Sequence, residues 1–428
     1  MTTEAVAITI LVGVFLVLLF LRVSVAVAMG IAAICTYLYL QLPLELVVQY
    51  TVGGVNNFTF MAVPFFILGG ELINQGGIGD RLIKLADELV GWIHGGAAMV
   101  NVLASMFFGG ISGSPNADIA ALGPIEIKLM ESQGFSTDYA TGLTCATAVQ
   151  GMLIPPSHNL VIYAVAAGNV SIGALFLAGL PAGVFLGIML GIYSFVYARR
   201  RGYACGHQFH LKKAGKAFLS AFGGLMTIII IFAGVSFGIM TATESAAVAA
   251  LWSFICAFFI YREVPLKRYY SIASASIKTL STIMVLLAIA NAFGWVVAYL
   301  RIPNKIAMAI LGLTENKFVI VLLLNLVVLF LGCIMSISSI LLILTPIVVP
   351  ILNKIGFNLV QWGIVMILNL GIGLLTPPVG AALYVGSAVS GLGVGRTAKA
   401  LLPFYLMMIL TLILLAFIPG LTRVLGAW

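Results

Sequence analysis

Long apolar runs, interrupted at a few short points rich in glycine, proline and small polar residues, extend over most of this chain. The runs at 227–240 and 320–332 do not alternate between apolar and polar residues, so they do not resemble the strands of about 10 residues in a transmembrane β-barrel. A bilayer core of roughly 30 Å needs about 20 apolar residues per helix, and runs of that length recur along the sequence. The pattern predicts an all-α polytopic membrane protein.

An internal repeat relates the two halves of the chain. Glycine and proline residues of the first half recur in the second half at an offset of 222 residues. The matching residues are Pro43, Gly110, Pro124, Gly151, Pro155 and Pro156 in the first half, and Pro265, Gly332, Pro346, Gly373, Pro377 and Pro378 in the second. A Pro-Pro pair is the strongest interruption in both copies. The repeat therefore predicts two halves with the same order of elements.

Each half is predicted to contain three membrane spans, a short amphipathic stretch, a re-entrant helical hairpin, a span broken at its Pro-Pro pair and a closing span. The first repeat (1–198) has predicted spans at 4–21, 24–41 and 57–74, a hairpin at 97–130, a broken helix at 139–168 and a closing span at 171–198. A basic cytoplasmic connector (199–219) follows it. The second repeat (220–428) has predicted spans at 220–240, 244–261 and 279–300, a hairpin at 318–352, a broken helix at 357–391 and a closing span at 400–422. Each half then crosses the membrane five times. An odd number of crossings inverts the second half relative to the first, as in inverted-repeat transporters.

Composition and charge agree with this topology. The chain is 62% hydrophobic and 8% charged, whereas roughly a quarter of the residues of a soluble domain are charged. The net charge of +8 comes from basic residues dispersed over short loops, so orientation in a membrane explains it better than nucleic-acid binding. With the connector in the cytoplasm, five of the 21 lysine and arginine residues fall outside and the others, Arg22 included, fall inside; the outer ones are Arg301, Lys305, Lys317, Lys354 and Arg423. The bias predicts an external N-terminus. The first apolar segment lacks the basic flank and small-residue cleavage site of a signal peptide, so it is expected to be a retained first span.

Cysteine and histidine residues show no metal-ligand spacing. The five cysteines, Cys35, Cys145, Cys205, Cys256 and Cys333, are scattered, and we interpret them as small buried hydrophobic residues rather than disulfide partners. His158 follows the first Pro-Pro pair and is expected to line a polar pocket. His207 and His210 lie in the basic connector, where solvent is the expected environment.

The interruption of the first hairpin is the first candidate site. Non-helical backbone inside a bilayer must be buried in protein or line a wet cavity, because each unpaired N–H or C=O group in lipid costs several kcal/mol. The segment FFGGISGSPNADIAALGP (107–124) combines glycines, which allow a tight turn, with the side-chain oxygens of Ser112, Ser114, Asn116 and Asp118. It is predicted to face the first broken helix, where Pro155 and Pro156 free backbone carbonyl groups beside Ser157 and Asn159.

The second half offers a matching pair of interruptions. The segment GCIMSISS (332–339) begins at Gly332 and supplies Ser336 and Ser338, and the second Pro-Pro break supplies Thr376 and Pro377. Unwound carbonyl groups of this kind coordinate sodium in inverted-repeat transporters, so two pairs predict about two sodium sites on either side of a substrate site. The alternative for any single motif is that glycine and proline only kink packed helices. Four motifs in register favour the sites.

Few ionisable residues lie within the apolar runs, and each has two interpretations because an uncompensated charge in the membrane costs at least about 2.5 kcal/mol. Asp118 is predicted to take part in the site, with a helix cap as the alternative. Glu244 is interpreted as a cap rather than a proton relay, and Glu71 is left open between such roles. Arg301 is either an interfacial anchor or the partner of a substrate carboxylate. The predicted substrate contacts are Ser114, Asp118, Asn159 and Arg301.

Two other classes of membrane protein compete with a carrier. The segment GGIGD (76–80) superficially resembles the GxGD motif of intramembrane aspartyl proteases, but Asp80 opens an interfacial amphipathic stretch and no YD partner span is present. An ion channel is the second alternative, although channels rarely need paired breaks with separate polar clusters. No GxxxxGK[ST] sequence is present to indicate ATP-driven transport.

The segments SGSPNADIAALGP (112–124) and GMLIPPSHNLVIY (151–163), with the TPP break of the second half, resemble those of the large membrane subunit of tripartite ATP-independent periplasmic (TRAP) transporters. The resemblance covers essentially the whole chain. It implies an elevator-type carrier of the ion-transporter superfamily in a bacterial inner membrane, with a four-span small membrane subunit and a periplasmic substrate-binding protein as partners. It further implies sodium-coupled uptake of an organic acid anion, such as sialic acid or a C4-dicarboxylate.

The same resemblance implies sodium ligands at the hairpin tips and broken helices. The residues of this chain that match those motifs are Ser112, Ser114, Asn116, Asp118, Pro155, Ser157, Ser336 and Thr376.

Overall fold

The computed structural model describes residues 3–21, 23–56, 58–168, 170–203, 206, 208–314 and 316–426. These residues form helices and turns without a β-strand, which confirms the all-α prediction. Six of the described helices are long and apolar enough to cross a membrane. Two further helices, which meet at residue 401 with a bend of 53°, make a seventh such segment when they are counted as one span. Arg22, Cys205 and His207 lie outside the described residues. The four described cysteines are free thiols.

The first half folds in the predicted order, with one additional helix. Its helices are α1 (Thr3–Phe20), α2 (Val25–Tyr39), α3 (Glu45–Val55), α4 (Ala62–Gln75), α5 (Ile78–Val90), α6 (Gly96–Ser112), α7 (Pro115–Ala121), α8 (Gly123–Ser132), α9 (Thr137–Gln150), α10 (His158–Ala167) and α11 (Ile172–Arg201). The predicted hairpin corresponds to α6, α7 and α8, and the predicted broken helix to α9 and α10. The amphipathic stretch is α5, which buries Ile78, Leu82 and Leu85 on one face.

The second half repeats this order. Its helices are α12 (Leu211–Ser236), α13 (Ala242–Ile255, continued by a π-helical turn at Cys256–Ile260), α14 (Tyr269–Tyr299), α15 (Ile302–Leu313), α16 (Lys317–Gly332), α17 (Ile337–Lys354), α18 (Leu359–Leu375), α19 (Ala381–Ser390), α20 (Val394–Ala400), α21 (Leu402–Phe417) and α22 (Gly420–Arg423). The hairpin corresponds to α16 and α17, and the broken helix to α18 and α19.

The halves differ most at the third predicted span. In the first half, a 3₁₀ turn at Phe58–Met61 separates α3 from α4, whereas the equivalent region of the second half is the continuous helix α14. Pro64 lies in the first turn of α4, where its missing N–H is tolerated. Its repeat equivalent is Leu286, which allows the helix to continue. The basic connector is also shorter than predicted, since α11 extends to Arg201 and α12 begins at Leu211.

The helices pack as two groups, and each group draws on both halves. Helices α1 to α4 pack with α12 to α14, and we call this set the outer group. Helices α6 to α11 pack with α16 to α21, and we call this set the inner group. The hairpins and broken helices all belong to the inner group. The amphipathic helices α5 and α15 lie between the groups, with α5 against α6 and α12, and α15 against α14 and α17.

Loops that the charge pattern assigns to one side of the membrane lie together in the structure. Arg81 pairs with Glu263, and Arg396 makes a two-point ion pair with Asp138 at 2.6 and 2.7 Å. The Arg396 guanidinium holds the pKa of Asp138 below its usual range. On the opposite face, Lys305 pairs with Glu4 at 2.8 Å. Each of these three ion pairs joins segments that the charge pattern assigns to the same side of the membrane.

Candidate substrate and cation site

The tip of the first hairpin is a tight turn between α6 and α7. After Ser112, Gly113 takes the left-handed conformation (φ 60°), and Ser114 caps α7 by accepting a hydrogen bond from the N–H of Ala117 at 3.5 Å. A side chain at Gly113 would be strained, and its Cβ would lie 3.1 Å from the Cα of Ser157. The turn therefore packs directly against the first broken helix.

The first Pro-Pro break lies between α9 and α10 and is joined to this tip. The bond between Pro155 and Pro156 is cis. Asn159, at the start of α10, donates a hydrogen bond from Nδ2 to the carbonyl of Gly113 at 3.2 Å. The Ser157 side chain is buried, and its hydroxyl has no hydrogen-bond partner among the described residues. The paired segments thus place an unused hydroxyl beside backbone that is free of helical hydrogen bonds.

The second hairpin and the second Pro-Pro break are joined in the same way. Ser336 caps α17, and its hydroxyl lies 2.6 Å from that of Ser339. The N–H of Val379 donates to the carbonyl of Cys333 at 3.2 Å, which links the break to the hairpin tip. The Thr376 hydroxyl donates to a helix carbonyl one turn earlier, at 2.7 Å. Each hairpin is therefore tied to the broken helix of its own half.

Glycine pairs allow the hairpin helices to lie against the broken helices in both halves. A Cβ on Gly109 would lie 2.1 Å from the Cα of Gly151. In the second half, a Cβ on Gly373 would lie 2.8 Å from the Cα of Gly332. Such distances leave no room for a methyl group against backbone atoms.

We expect Gly109→Ala to destabilise the folded protein by about 1–3 kcal/mol, because the added methyl group meets backbone that cannot move aside. Thermal unfolding of the detergent-purified protein measures the effect. Gly191→Ala is the matched control, since its Cβ would meet only the sulfur of Met99 at 3.9 Å. Equal midpoints for the two variants would contradict the close packing of α6 on the first break.

Both hairpin tips and both broken helices line one cavity of about 320 Å³. The predicted residues that line it are Ser114, Asn116, Asn159, Gly332, Ser336 and Ser338, and His158 lies among them. Hydroxyl, amide and backbone groups of four separate elements therefore converge on one small cavity. The cavity is polar on several sides, and no charged side chain is among the described residues that line it. Such a cavity suits small polar ligands and hard monovalent cations.

Several predicted residues belong to the same turns but do not line the cavity. They are Ser112, Pro155, Ser157, Thr376 and Pro377. Ser112 stabilises the tip from within, because its hydroxyl accepts a hydrogen bond from the N–H of Ser114 at 3.3 Å.

Asp118, a predicted site residue, is not among the residues that line the cavity. It is 1% exposed, and its carboxylate accepts a long hydrogen bond from the Ser105 hydroxyl at 3.4 Å. Asp118 lies one helical turn beyond the cap, where its side chain contacts Ser105 of α6. Sequence reasoning also missed a second acid in the same hairpin, Glu126 on α8, which is likewise 1% exposed. Its position inside the predicted hairpin was the available signal.

The other ionisable candidates lie away from the cavity. Glu244 forms a capping box with Thr241, whose N–H donates to the carboxylate at 2.8 Å, and this confirms the cap interpretation. Glu71 accepts a hydrogen bond from Gln75 at 2.6 Å. Arg301 is exposed at the junction of α14 and α15, within electrostatic range of Glu4, so the structure does not bring it to the other predicted substrate contacts.

The fold is that of a polytopic membrane transporter. The solved structure of the Alcanivorax borkumensis YdaH transporter superposes with a TM-score of 0.65, covering 88% of this chain and 88% of that one at 16% sequence identity. At this identity the likeness concerns the fold alone.

Sequence comparison then gives the family. A family model described as "Tripartite ATP-independent periplasmic transporter, DctM component" matches residues 12–421, and the chain belongs to this family. It is 38% identical to the sialic acid TRAP transporter large permease protein SiaM of Vibrio cholerae over 89% of each protein. It is also 38% identical to the C4-dicarboxylate TRAP transporter large permease protein DctM of Pseudomonas aeruginosa over 87% of each. The chain is therefore a transporter subunit and not an intramembrane protease.

Proposed function

We propose that this subunit imports an organic acid anion together with sodium, after a periplasmic binding protein delivers the anion and with a small membrane subunit as partner. The observation that carries the proposal is the convergence of two hairpin tips and two broken helices on one cavity. Family membership and relatives named for sialic acid and C4-dicarboxylate transport support the class of substrate.

Two sodium sites are proposed, one at each paired hairpin tip and break. At the first site, the proposed sodium ligands are the Ser157 hydroxyl and the backbone carbonyl groups near Pro155 and Gly113. At the second, they are backbone carbonyl groups near Gly332 and Pro377 with the hydroxyls of Ser336 and Thr376. Sodium prefers oxygen ligands of this kind in broken helices. The cavity between the two turns would hold the substrate.

Two sodium ions are sufficient to drive accumulation. At about −100 mV, each entering cation releases roughly 2.3 kcal/mol, and a tenfold sodium gradient adds about 1.4 kcal/mol, so two ions supply about 7.4 kcal/mol. A monoanion entering against this potential uses about 2.3 kcal/mol, which leaves about 5 kcal/mol and accumulation of more than about a thousandfold. One ion would leave only about 1.4 kcal/mol.

An elevator movement is proposed for the transport cycle. The hairpins, broken helices and cavity all belong to the inner group, whereas the outer group contributes none of the cavity lining. A rigid inner group is therefore able to carry the whole site across the membrane against the outer group. The charge bias supports an orientation in a bacterial inner membrane with the Asp138–Arg396 pair on the cytoplasmic side and the N-terminus in the periplasm.

Reconstitution of the subunit with its small membrane subunit and binding protein tests the proposal. We expect uptake from a panel of radiolabelled organic acids to require an inward sodium gradient and to saturate with binding-protein concentration. Unlabelled substrate inside the vesicles should accelerate exchange, as a carrier requires. Uptake that proceeds equally in potassium, or ohmic flux that does not saturate, would contradict sodium-coupled carriage.

A further inference from the structure

Two buried acids lie behind the cavity in the first hairpin. Asp118 on α7 and Glu126 on α8 are each 1% exposed. One oxygen of each carboxyl group, Oδ2 of Asp118 and Oε1 of Glu126, has no hydrogen-bond partner among the described residues. Each is therefore an unpartnered, fully buried oxygen ligand.

Neutral polar side chains of α6 and α9 connect the two acids. The Asn101 amide donates to Glu126 at 2.9 Å and to the Thr144 hydroxyl at 2.7 Å. Its carbonyl accepts from the Thr147 hydroxyl at 2.7 Å. Thr147 also lies 3.3 Å from the Ser105 hydroxyl, which in turn donates to Asp118. The acids thus share a continuous set of hydroxyl and amide groups inside the helix bundle.

Among the residues that the structure describes, no positive side chain forms an ion pair with Asp118 or Glu126. Within the described ranges, the ion pairs of lysine and arginine involve other acids, and no basic residue acts on either carboxyl group. Burial of an uncompensated charge in the membrane is costly, so a carboxyl group that is ionised here needs a cation, and solution is a source of one. The described residues contain no cluster of three or more His, Cys, Asp or Glu side chains, which argues against a transition metal.

The second half shows that the fold does not require buried acids at these positions. At an offset of 222, the equivalents of Asn101, Ser105, Asp118, Glu126 and Thr144 are Leu323, Val327, Ile340, Val348 and Met366. The helices that carry them pack in the same way, since α16 lies on α18 as α6 lies on α9. Apolar residues thus replace both acids, while the equivalent of Thr147 is Asn369, whose amide donates to Asn325 of α16 at 2.7 Å. The two buried acids of the first half therefore have a role beyond helix packing.

We propose that Asp118 and Glu126 bind one further sodium ion, at a site behind the first hairpin and separate from the two paired breaks. The ligands are the unpartnered carboxyl oxygens, supported by the hydroxyls of Ser105 and Thr147. With one carboxyl group ionised and the other protonated, a single sodium ion leaves the site neutral. Because α7 also carries Ser114 at the cavity, the ion would stiffen the hairpin tip that contacts substrate. The inference rests on the proposed sodium coupling.

Glu126→Gln tests the site with Glu131→Gln as the matched control, since Glu131 is an exposed acid on the same helix. In the reconstituted complex, we expect Glu126→Gln to raise the sodium concentration for half-maximal uptake about tenfold and to lower the Hill coefficient by about one. The control should match the wild type. Sodium should also raise the unfolding temperature of the purified wild type and control more than that of Glu126→Gln, with choline chloride at equal ionic strength as reference.

Unchanged sodium dependence of uptake in a folded Glu126→Gln protein would overturn the proposed site. A change in the pH dependence of uptake without a change in its sodium dependence would also overturn it, because the acids would then bind a proton and not sodium. If Glu126→Gln does not fold, Thr147→Val is the second test, since valine keeps the shape of threonine and removes the hydroxyl. It should raise the half-maximal sodium concentration several-fold, and an unchanged value would contradict the site. Wild-type uptake without any sodium requirement would contradict the proposed function itself, an outcome distinct from failure of this site.

Discussion

Replacing Asn159 with leucine is expected to reduce sodium-driven uptake by about one to two orders of magnitude. The Asn159 amide donates the hydrogen bond that joins the first broken helix to the carbonyl of Gly113 at the hairpin tip, and the side chain lines the cavity. Leucine has a similar size but cannot donate, so the tip carbonyl loses its partner in a buried position. An unsatisfied buried group costs about 1–3 kcal/mol, which corresponds to roughly 5- to 150-fold in the population of the joined arrangement.

Initial rates in proteoliposomes measure this effect at matched protein content. Asn353→Leu is the control, because Asn353 is exposed near the end of α17 and lies outside the cavity. Uptake by Asn159→Leu at the wild-type rate and with the wild-type sodium requirement would show that the junction between tip and break is not needed for transport.

The positions of the breaks are predictable from the sequence, because glycine and proline act on the backbone through local geometry. The offset that relates Pro155 to Pro377 and Gly110 to Gly332 identifies where helices stop in both halves, and the structure places these stops around one cavity. The convergence follows because a helix that stops inside a bilayer needs partners for its free backbone groups, and another stopped helix supplies them.

Side-chain direction is not predictable in the same way. Asp118 lies four residues after Ser114, yet Ser114 lines the cavity and Asp118 is buried beside Ser105 of α6. The break fixes where α7 begins, but tertiary packing decides which of its faces meets the cavity. Similarly, the exposed position of Arg301 depends on how α14 is followed by α15, and no local signal gives that geometry. The substrate role of Arg301 stays a prediction.

The offset contains more information than the breaks alone. The repeat offset aligns Glu126 with Val348 and Asn101 with Leu323. An acid in one half against an aliphatic residue in the other is a departure from symmetry, and symmetry explains only what both halves need for packing. Such departures therefore mark residues retained for a function of one half.

A reversible cross-link between the two helix groups is expected to stop transport almost completely. Gly70 on α4 belongs to the outer group and faces the first hairpin tip, where a Cβ at this position would lie 3.7 Å from the Cα of Ser112. This separation is compatible with a disulfide between cysteines at the two positions. In a variant without the native cysteines, Gly70→Cys with Ser112→Cys should lose uptake by about two orders of magnitude on oxidation, because an elevator needs the groups to slide past each other.

Reduction of that cross-link should restore uptake to the level of the unoxidised double variant, and each single cysteine variant should be insensitive to oxidant. These controls separate immobilisation from loss of the Ser112 hydroxyl, which the double variant lacks in both redox states. Full uptake by protein that mass spectrometry shows to be cross-linked would mean that α4 and the first hairpin travel together. The outer group would then not be the fixed part, and the site would have to open by local movement of the hairpins instead.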